Sequence, residues 1–220
     1  MVLTSLASDS FTRSDAVDLG SNWDDGYLDF TNGNELFSNQ VRPVVNQYCL
    51  DTYNGITWPD DQYGKCTLTF WDTENAVAIV LRATAPTTST FYLCQTSRFG
   101  DTQEDAILKY VAGSSTELSS GTPSAAWATL NVICGAVIGT DIYLLRGTSQ
   151  VLSASDSAIS SGRSGIAGLW FNGGTGGLVT MDDWEGGKAE DDGEVAGSGL
   201  LWKRLGGIPH MSRNFGVKIF

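Results

Sequence analysis

The sequence predicts an all-β fold, with two antiparallel sheets packed face to face as a jelly-roll sandwich. Three observations predict it. About a dozen short apolar or alternating runs are separated by Gly, Pro, Asn and Ser turn signals, as in sandwiches and jelly rolls. Two of these runs alternate cleanly: Gly64–Trp71 sets Cys66, Leu68 and Phe70 against Lys65, Thr67, Thr69 and Trp71, and Thr129–Cys134 turns Leu130, Val132 and Cys134 one way. No stretch carries the 3.6-residue period of an amphipathic helix.

Composition bounds what such a fold does. The chain has 220 residues, enough for one β domain and an appendage. Its net charge of -12 argues against a nucleic-acid partner, because phosphates would be repelled over most of the surface. No apolar run approaches the length of a membrane span. Met1–Ser8 lacks the basic start and long apolar stretch of a secretory signal. Cys49, Cys66, Cys94 and Cys134 are too far apart for a CxxC-type motif, and read as small buried apolar groups. One histidine leaves little material for a zinc site or a histidine-based triad.

In chain order, the body is expected to begin at Asp9-Ser-Phe-Thr-Arg13, with Trp23 as a core anchor. Tyr27–Phe30 and Glu35–Phe37 are strand candidates around Asn32-Gly33, the dipeptide a tight hairpin favours. Asn39–Val45 follows, with Pro43 pointing to an edge. Tyr48–Trp58 reads as irregular. Asn75–Arg82 is nearly all apolar and fits a central strand covered on both faces. Phe91–Thr96 and Ile107–Ala112 are further strands, and Leu118–Pro123 reads as a loop. Ile142–Arg146 and Gln150–Ser153 flank Gly147-Thr-Ser, a hairpin signature. Ile166–Phe171 and Leu178–Trp184 close the body, the last strand ending at the pair Gly186-Gly187.

Several of these pieces, in this order, resemble the concanavalin A-like (laminin-G-like) jelly-roll family common in bacteriophage structural proteins. They are Asp9-Ser-Phe-Thr-Arg13 with Leu19-Gly-Ser-Asn-Trp23, Asp61-Gln-Tyr63, Val80-Leu-Arg82, Asp156–Ile166 and Met181-Asp-Asp-Trp-Glu-Gly-Gly187. The resemblance spans roughly residues 8–187. It implies that the first and last strands lie side by side, with Asp9-Ser-Phe11 near Asp182-Asp-Trp184. Arg146 stands where the family has a hairpin asparagine.

Three chemistries are open to such a fold. Glycoside hydrolysis needs two carboxylates flanking the scissile bond. The glucanase branch sets them as Glu-x-Asp-x-Glu, which this sequence lacks; Asp183 and Glu185 would share a face, while Asp182 points away. No catalytic residue is assigned. Calcium takes six to eight oxygen ligands, and Asp9, Asp182 and Asp183 are the candidate set; no other cofactor is expected. Glycan binding needs an exposed aromatic platform, for which Trp71, Trp58, Tyr53 and Trp170 are the candidates. Trp71 leads, because it falls on the polar face of its strand.

The tail is a different kind of sequence. The jelly roll is assigned to 1–187, an acidic, Gly-containing linker to 188–199, and an apolar, basic anchoring segment to 200–220. That segment carries four basic residues and no acid. Leu201, Trp202, Ile208, Phe215, Ile219 and Phe220 are the expected docking residues on another subunit, by strand addition or by apolar anchors. The reading is a virion protein rather than an enzyme: a capsid decoration, head fibre or tail component displaying a lectin-like jelly roll. Its partners would be other virion subunits, as a homo-oligomer or on a capsid or tail protein, and host glycans. Nucleic acid and membrane are not expected partners. The alternative is a carbohydrate-binding module, secreted or virion-borne and thus extracellular, and after it a glucanase-like hydrolase.

Overall fold

A computed structural model describes residues 1–25, 27, 33–44, 48–71, 74–84, 88–170 and 179–192, without the side chains of Tyr48 and Trp170. The linker beyond Asp192 and the segment 200–220, with its six expected docking residues, lie outside the described residues.

The described residues form fifteen strands in two antiparallel sheets. They are β1 (Val2–Asp9), β2 (Trp23–Asp24), β3 (Asn34–Phe37), β4 (Gln40–Pro43), β5 (Tyr48–Tyr53), β6 (Gln62–Phe70), β7 (Asn75–Ala83), β8 (Phe91–Phe99), β9 (Thr102–Val111), β10 (Ser114–Gly121), β11 (Val132–Ile138), β12 (Asp141–Arg146), β13 (Ser149–Ser155), β14 (Arg163–Trp170) and β15 (Thr180–Glu190). The first sheet runs β13-β12-β11-β6-β15-β4-β3, with β1 also on β15; the second runs β10-β9-β8-β7-β14-β5-β2. This is the predicted jelly-roll sandwich.

The core between the sheets follows strand alternation. Leu68 and Met181 of the first sheet meet Ile79, Leu81, Cys94 and Ile166 of the second. β7 is buried along its whole length, as its apolar run predicts. Its outward residues, Ala78 and Val80, join Leu50, Phe91, Leu93 and Ala167 in a separate apolar layer on the outer face. All four cysteines are buried, and Cys66, Cys94 and Cys134 are free thiols. Burial pushes the thiols up, to about 12 at Cys49 and Cys134.

Several expectations shift by one element. β1 extends the body seven residues upstream of Asp9, and β5 and β10 are strands where loops were expected. The tight hairpin joins β3 to β4 through Ser38 and Asn39, both at positive φ, while Asn32 lies outside the described residues. Gly147, at φ 61, turns the chain from β12 to β13 as expected.

β15 differs most. It does not end at Gly186-Gly187 but runs on to Glu190, pairing Val2 of β1 with Glu190 and Asp9 with Trp184. The two glycines serve proximity, not termination. A Cβ on Gly186 would sit 2.6 Å from the Trp58 ring, and one on Gly187 would strike the β1 backbone at Thr4 and Leu6. Upstream, β15 carries a bulge. Asp182 faces Thr67 and Glu185 faces Lys65, so three steps on β15 match two on β6, and Asp183 takes φ 50. The extra residue turns both Met181 and Trp184 into the core.

Candidate functional site

Among the described side chains, Trp71, Tyr53 and Trp58 form no exposed platform. Trp71 is 7% exposed and belongs to the core. The reason is a second register slip: Thr180 pairs with Phe70 but Met181 with Leu68, so β6 gains a residue at Thr69. The alternation inverts there, leaving Phe70 exposed and Trp71 inside. Tyr53 and Trp58 are half-buried and pack together, with the Trp58 indole N–H donating to the Tyr53 carbonyl at 2.7 Å. Tyr53 stacks on Trp184 at 5.1 Å, and Trp58 meets Trp184 edge-on at 6.1 Å. Trp23 lies 4.8 Å from Trp184 and 5.3 Å from Tyr53. These rings pack against one another. The side chain of Trp170 is outside the described residues.

Of the expected calcium set, Asp9 is already engaged by other groups. Asp9 does approach Asp182, whose carboxyl is raised chiefly by burial and further by the charges of Asp183 and Asp9. The Asp9 oxygens, however, accept from the Phe11 N–H at 2.8 Å, Arg13 Nη1 at 2.6 Å, Arg13 Nη2 at 3.0 Å and Trp23 Nε1 at 3.0 Å. Burial raises this carboxyl, but those bonds and the Arg13 cation hold it below its ordinary value. The Arg13 guanidinium thus already neutralises Asp9. Among the described residues, no group of three His, Cys, Asp or Glu side chains is arranged to hold a metal ion.

Of the β15 acids, Glu185 is engaged by neighbours that keep it ionised. Glu185 bonds Lys65 at 3.0 Å and accepts from the Tyr63 hydroxyl. Burial pushes the Glu185 carboxyl up, but Tyr63 and Lys65 outweigh it and hold the group below its ordinary range. A general acid requires the opposite shift.

Among the described residues, a concave feature lies at one end of the sandwich. It is a cleft of about 560 Å³, within the ~300–1,000 Å³ typical of ligand sites. Four segments meet there: Pro59–Asp61 before β6, the β11–β12 turn at Gly139-Thr140, the Ser157–Ser160 loop before β14, and Lys188 of β15. Arg82, at the end of β7, ties three of them together. Its guanidinium donates to the carbonyls of Asp60, Ile159 and Gly139, each at 2.9 Å. Gln62 completes the frame, accepting from the Arg82 N–H and donating to Pro59 and Gly162. The Asp61 carboxylate accepts from the Gly139 N–H at 2.7 Å and lies 3.5 Å from Arg82. Burial draws the Arg82 pKa below its ordinary value. The lining charges balance: Asp60 and Asp61 against Arg82 and Lys188. Exposed Thr140, Ser157 and Ser160 add hydroxyls, while Pro59 and Ile159 add apolar surface.

A smaller cavity of about 280 Å³ adjoins Asp51, Asp18, Asp25 and Trp23. Asp51 is 1% exposed. Its Oδ2 accepts from Asn34 N at 2.7 Å and Asn34 Nδ2 at 2.6 Å, pinning β5 to β3 across the sandwich. Burial pushes this carboxyl up to about 7.

Sequence reading misses most of the cleft. Asp61, Arg82, Ser157 and Ser160 are visible only through the motifs of the family resemblance, and Thr140 and Lys188 carry no spacing signature. The serine-rich loop Asp156–Ser164 is a further signal that points there.

No protein-family model matches the chain, and no curated protein matches it. Solved structures do. The chain is similar to the carbohydrate-binding module CBM66 from Bacillus subtilis, with a TM-score of 0.56 and 13% identity over 76% of this chain and 98% of that one. It is similar to the CBM2 module of the evolved Dit of Lactobacillus casei BL23 phage J-1, with a TM-score of 0.54 and 7% identity over 83% and 94%. It also matches a β-1,3-1,4-glucanase (lichenase) derived from a mouse hindgut metagenome, with a TM-score of 0.55 and 11% identity over 83% and 98%. At these identities the likeness establishes the fold alone, a jelly-roll sandwich found both in these binding modules and in this glucanase.

Proposed function

We propose that the chain is a non-catalytic, glycan-recognising jelly roll displayed on a bacteriophage virion, as a capsid decoration, head fibre or tail component. The observation that carries the glycan reading is the end cleft. Sugar hydroxyls both donate and accept, and this cleft offers both kinds of partner around an apolar floor. Its balanced charge disfavours a strongly ionic ligand. Its walls are tied by Arg82 and Gln62, so little ordering cost is left to binding. The non-catalytic reading is supported by its acids: Asp61 is bonded to a backbone N–H, and the raised carboxyls of Asp51 and Asp182 lie outside the cleft.

The virion reading draws support from the likeness to a phage Dit module and from the basic, apolar segment 200–220, proposed to dock on another subunit. A secreted carbohydrate-binding module is the second reading, favoured by the likeness to CBM66. Both share the cleft.

A glycan array probed with the full chain tests the shared part. The expected outcome is binding to neutral oligosaccharides, weakened at least tenfold by Asp60→Ala (about 1.4 kcal/mol), with no new reducing ends released. An array without hits, or binding indifferent to Asp60, overturns the assignment.

A further inference from the structure

The first sheet has an open edge. β1 pairs with β15 on one side, and among the described residues no strand pairs with its other side. Such an edge presents unpaired N–H and C=O groups, which proteins cover, charge or blunt. Here it presents Val2, 47% exposed, and Leu6, 49% exposed. Leu6 is the bulged residue, since Ser5 pairs with Gly187 and Ala7 with Gly186. The bulge confines any added strand to Val2–Ser5 and leaves Leu6 as a side anchor.

The root of the C-terminal arm lies beside this edge. Val2 pairs with Glu190, and the Met1 ammonium contacts the Asp192 carboxylate. Charge favours the arm as occupant. Residues 193–220 contain Glu194 against Lys203, Arg204, Arg213 and Lys218, a net +3, which leaves -15 on residues 1–192. Glu190, Asp191 and Asp192 add acids at the end of β15, beside the start of β1, where Lys188 pairs with Glu190 and the Met1 ammonium with Asp192. Residues 215–220, Phe-Gly-Val-Lys-Ile-Phe, alternate as an edge-adding strand requires. The connection from 193 to 214 is 22 residues, longer than the ~12–15 usual for loops returning within a compact domain. It suits reaching a neighbour instead.

We infer that residues 215–220 of one copy add as a strand to the open edge of β1 in a second copy, burying Val2 and Leu6. The inference rests on the reading of the chain as an assembly subunit and is independent of the glycan cleft. A partner strand given head to tail generates a ring or a filament, according to whether the rotation closes.

Amide hydrogen exchange on the full chain tests it, read at Val2–Ser5 over a hundredfold range of concentration. The expected result is protection at least tenfold above that of a chain ending at residue 214, lost on dilution together with the oligomer seen by light scattering. Leu6→Glu is expected to weaken the oligomer while leaving glycan-array binding intact. Absence of protection overturns the inference. So does protection unchanged on dilution, which would place the arm on its own edge.

Discussion

At the residue scale, Trp71 shows how one slipped residue changes a side chain's role. Strict alternation from Cys66 puts it on the polar face, yet the bulge at Thr69 returns it to the core. Trp71→Ala is therefore expected to cost about 3–5 kcal/mol in urea unfolding, the usual range for a buried aromatic, while the glycan affinity of the folded variant stays at the parent level. Asp51 is equally illegible, because a lone Asp within Cys-Leu-Asp-Thr does not reveal the buried Asn34 opposite it. Its folded pKa of about 7 lies above the unfolded value of about 3.9. The folded chain thus holds this proton more tightly. The associated stability is full below about pH 4 and is lost as pH rises through 7, at no more than about 1.4 kcal/mol per pH unit. Asp9, Asp156 and Glu185, all lowered, act oppositely below about pH 4. Comparing urea unfolding of the chain and of Asp51→Asn at pH 5 and pH 8 isolates the Asp51 share. The parent should lose more stability than the variant on going to pH 8; equal losses would contradict the account.

At the element scale, β15 is where sequence pattern and structure diverge most usefully. Its central place is legible: it is expected to close the sandwich beside Asp9-Ser-Phe11, and it does. Its length is not, because a glycine pair looks like a stop unless the close approach of another backbone is known. Gly187→Ala is expected to drive a Cβ into Thr4 and Leu6, lifting β1 away. The cost should be about 1–3 kcal/mol, typical of overpacking, with exchange protection lost selectively across Val2–Asp9. Uniform destabilisation with β1 still protected would count against that reading. β10 escapes notice for a related reason. Ser-Ser-Thr-Glu-Leu-Ser-Ser-Gly is polar because the strand is an edge of the second sheet, exposed over most of its length.

At the scale of the whole molecule, the jelly roll is legible in the sequence and the cleft is not. Sheet membership follows from alternation and turn chemistry, which are local. The cleft is built from segments spread between Pro59 and Lys188, joined by Arg82 through backbone carbonyls that carry no sequence signal. Aromatic residues draw the eye instead, and the fold spends Trp23, Tyr53, Trp58 and Trp184 on one another. Arg82 should then matter to binding through the frame. Arg82→Lys keeps the charge but cannot reach three carbonyls at once, so calorimetric glycan affinity should fall about tenfold or more while the array profile keeps its order of preference.

The most direct measurement of the central claim is a chemical-shift map of the full chain titrated with its best array glycan. The account predicts that amides of Asp60, Thr140, Ser157, Ser160 and Lys188 move together, with one dissociation constant. Shifts centred on Tyr53 and Trp58, or on Asp182 and Glu185, would contradict it.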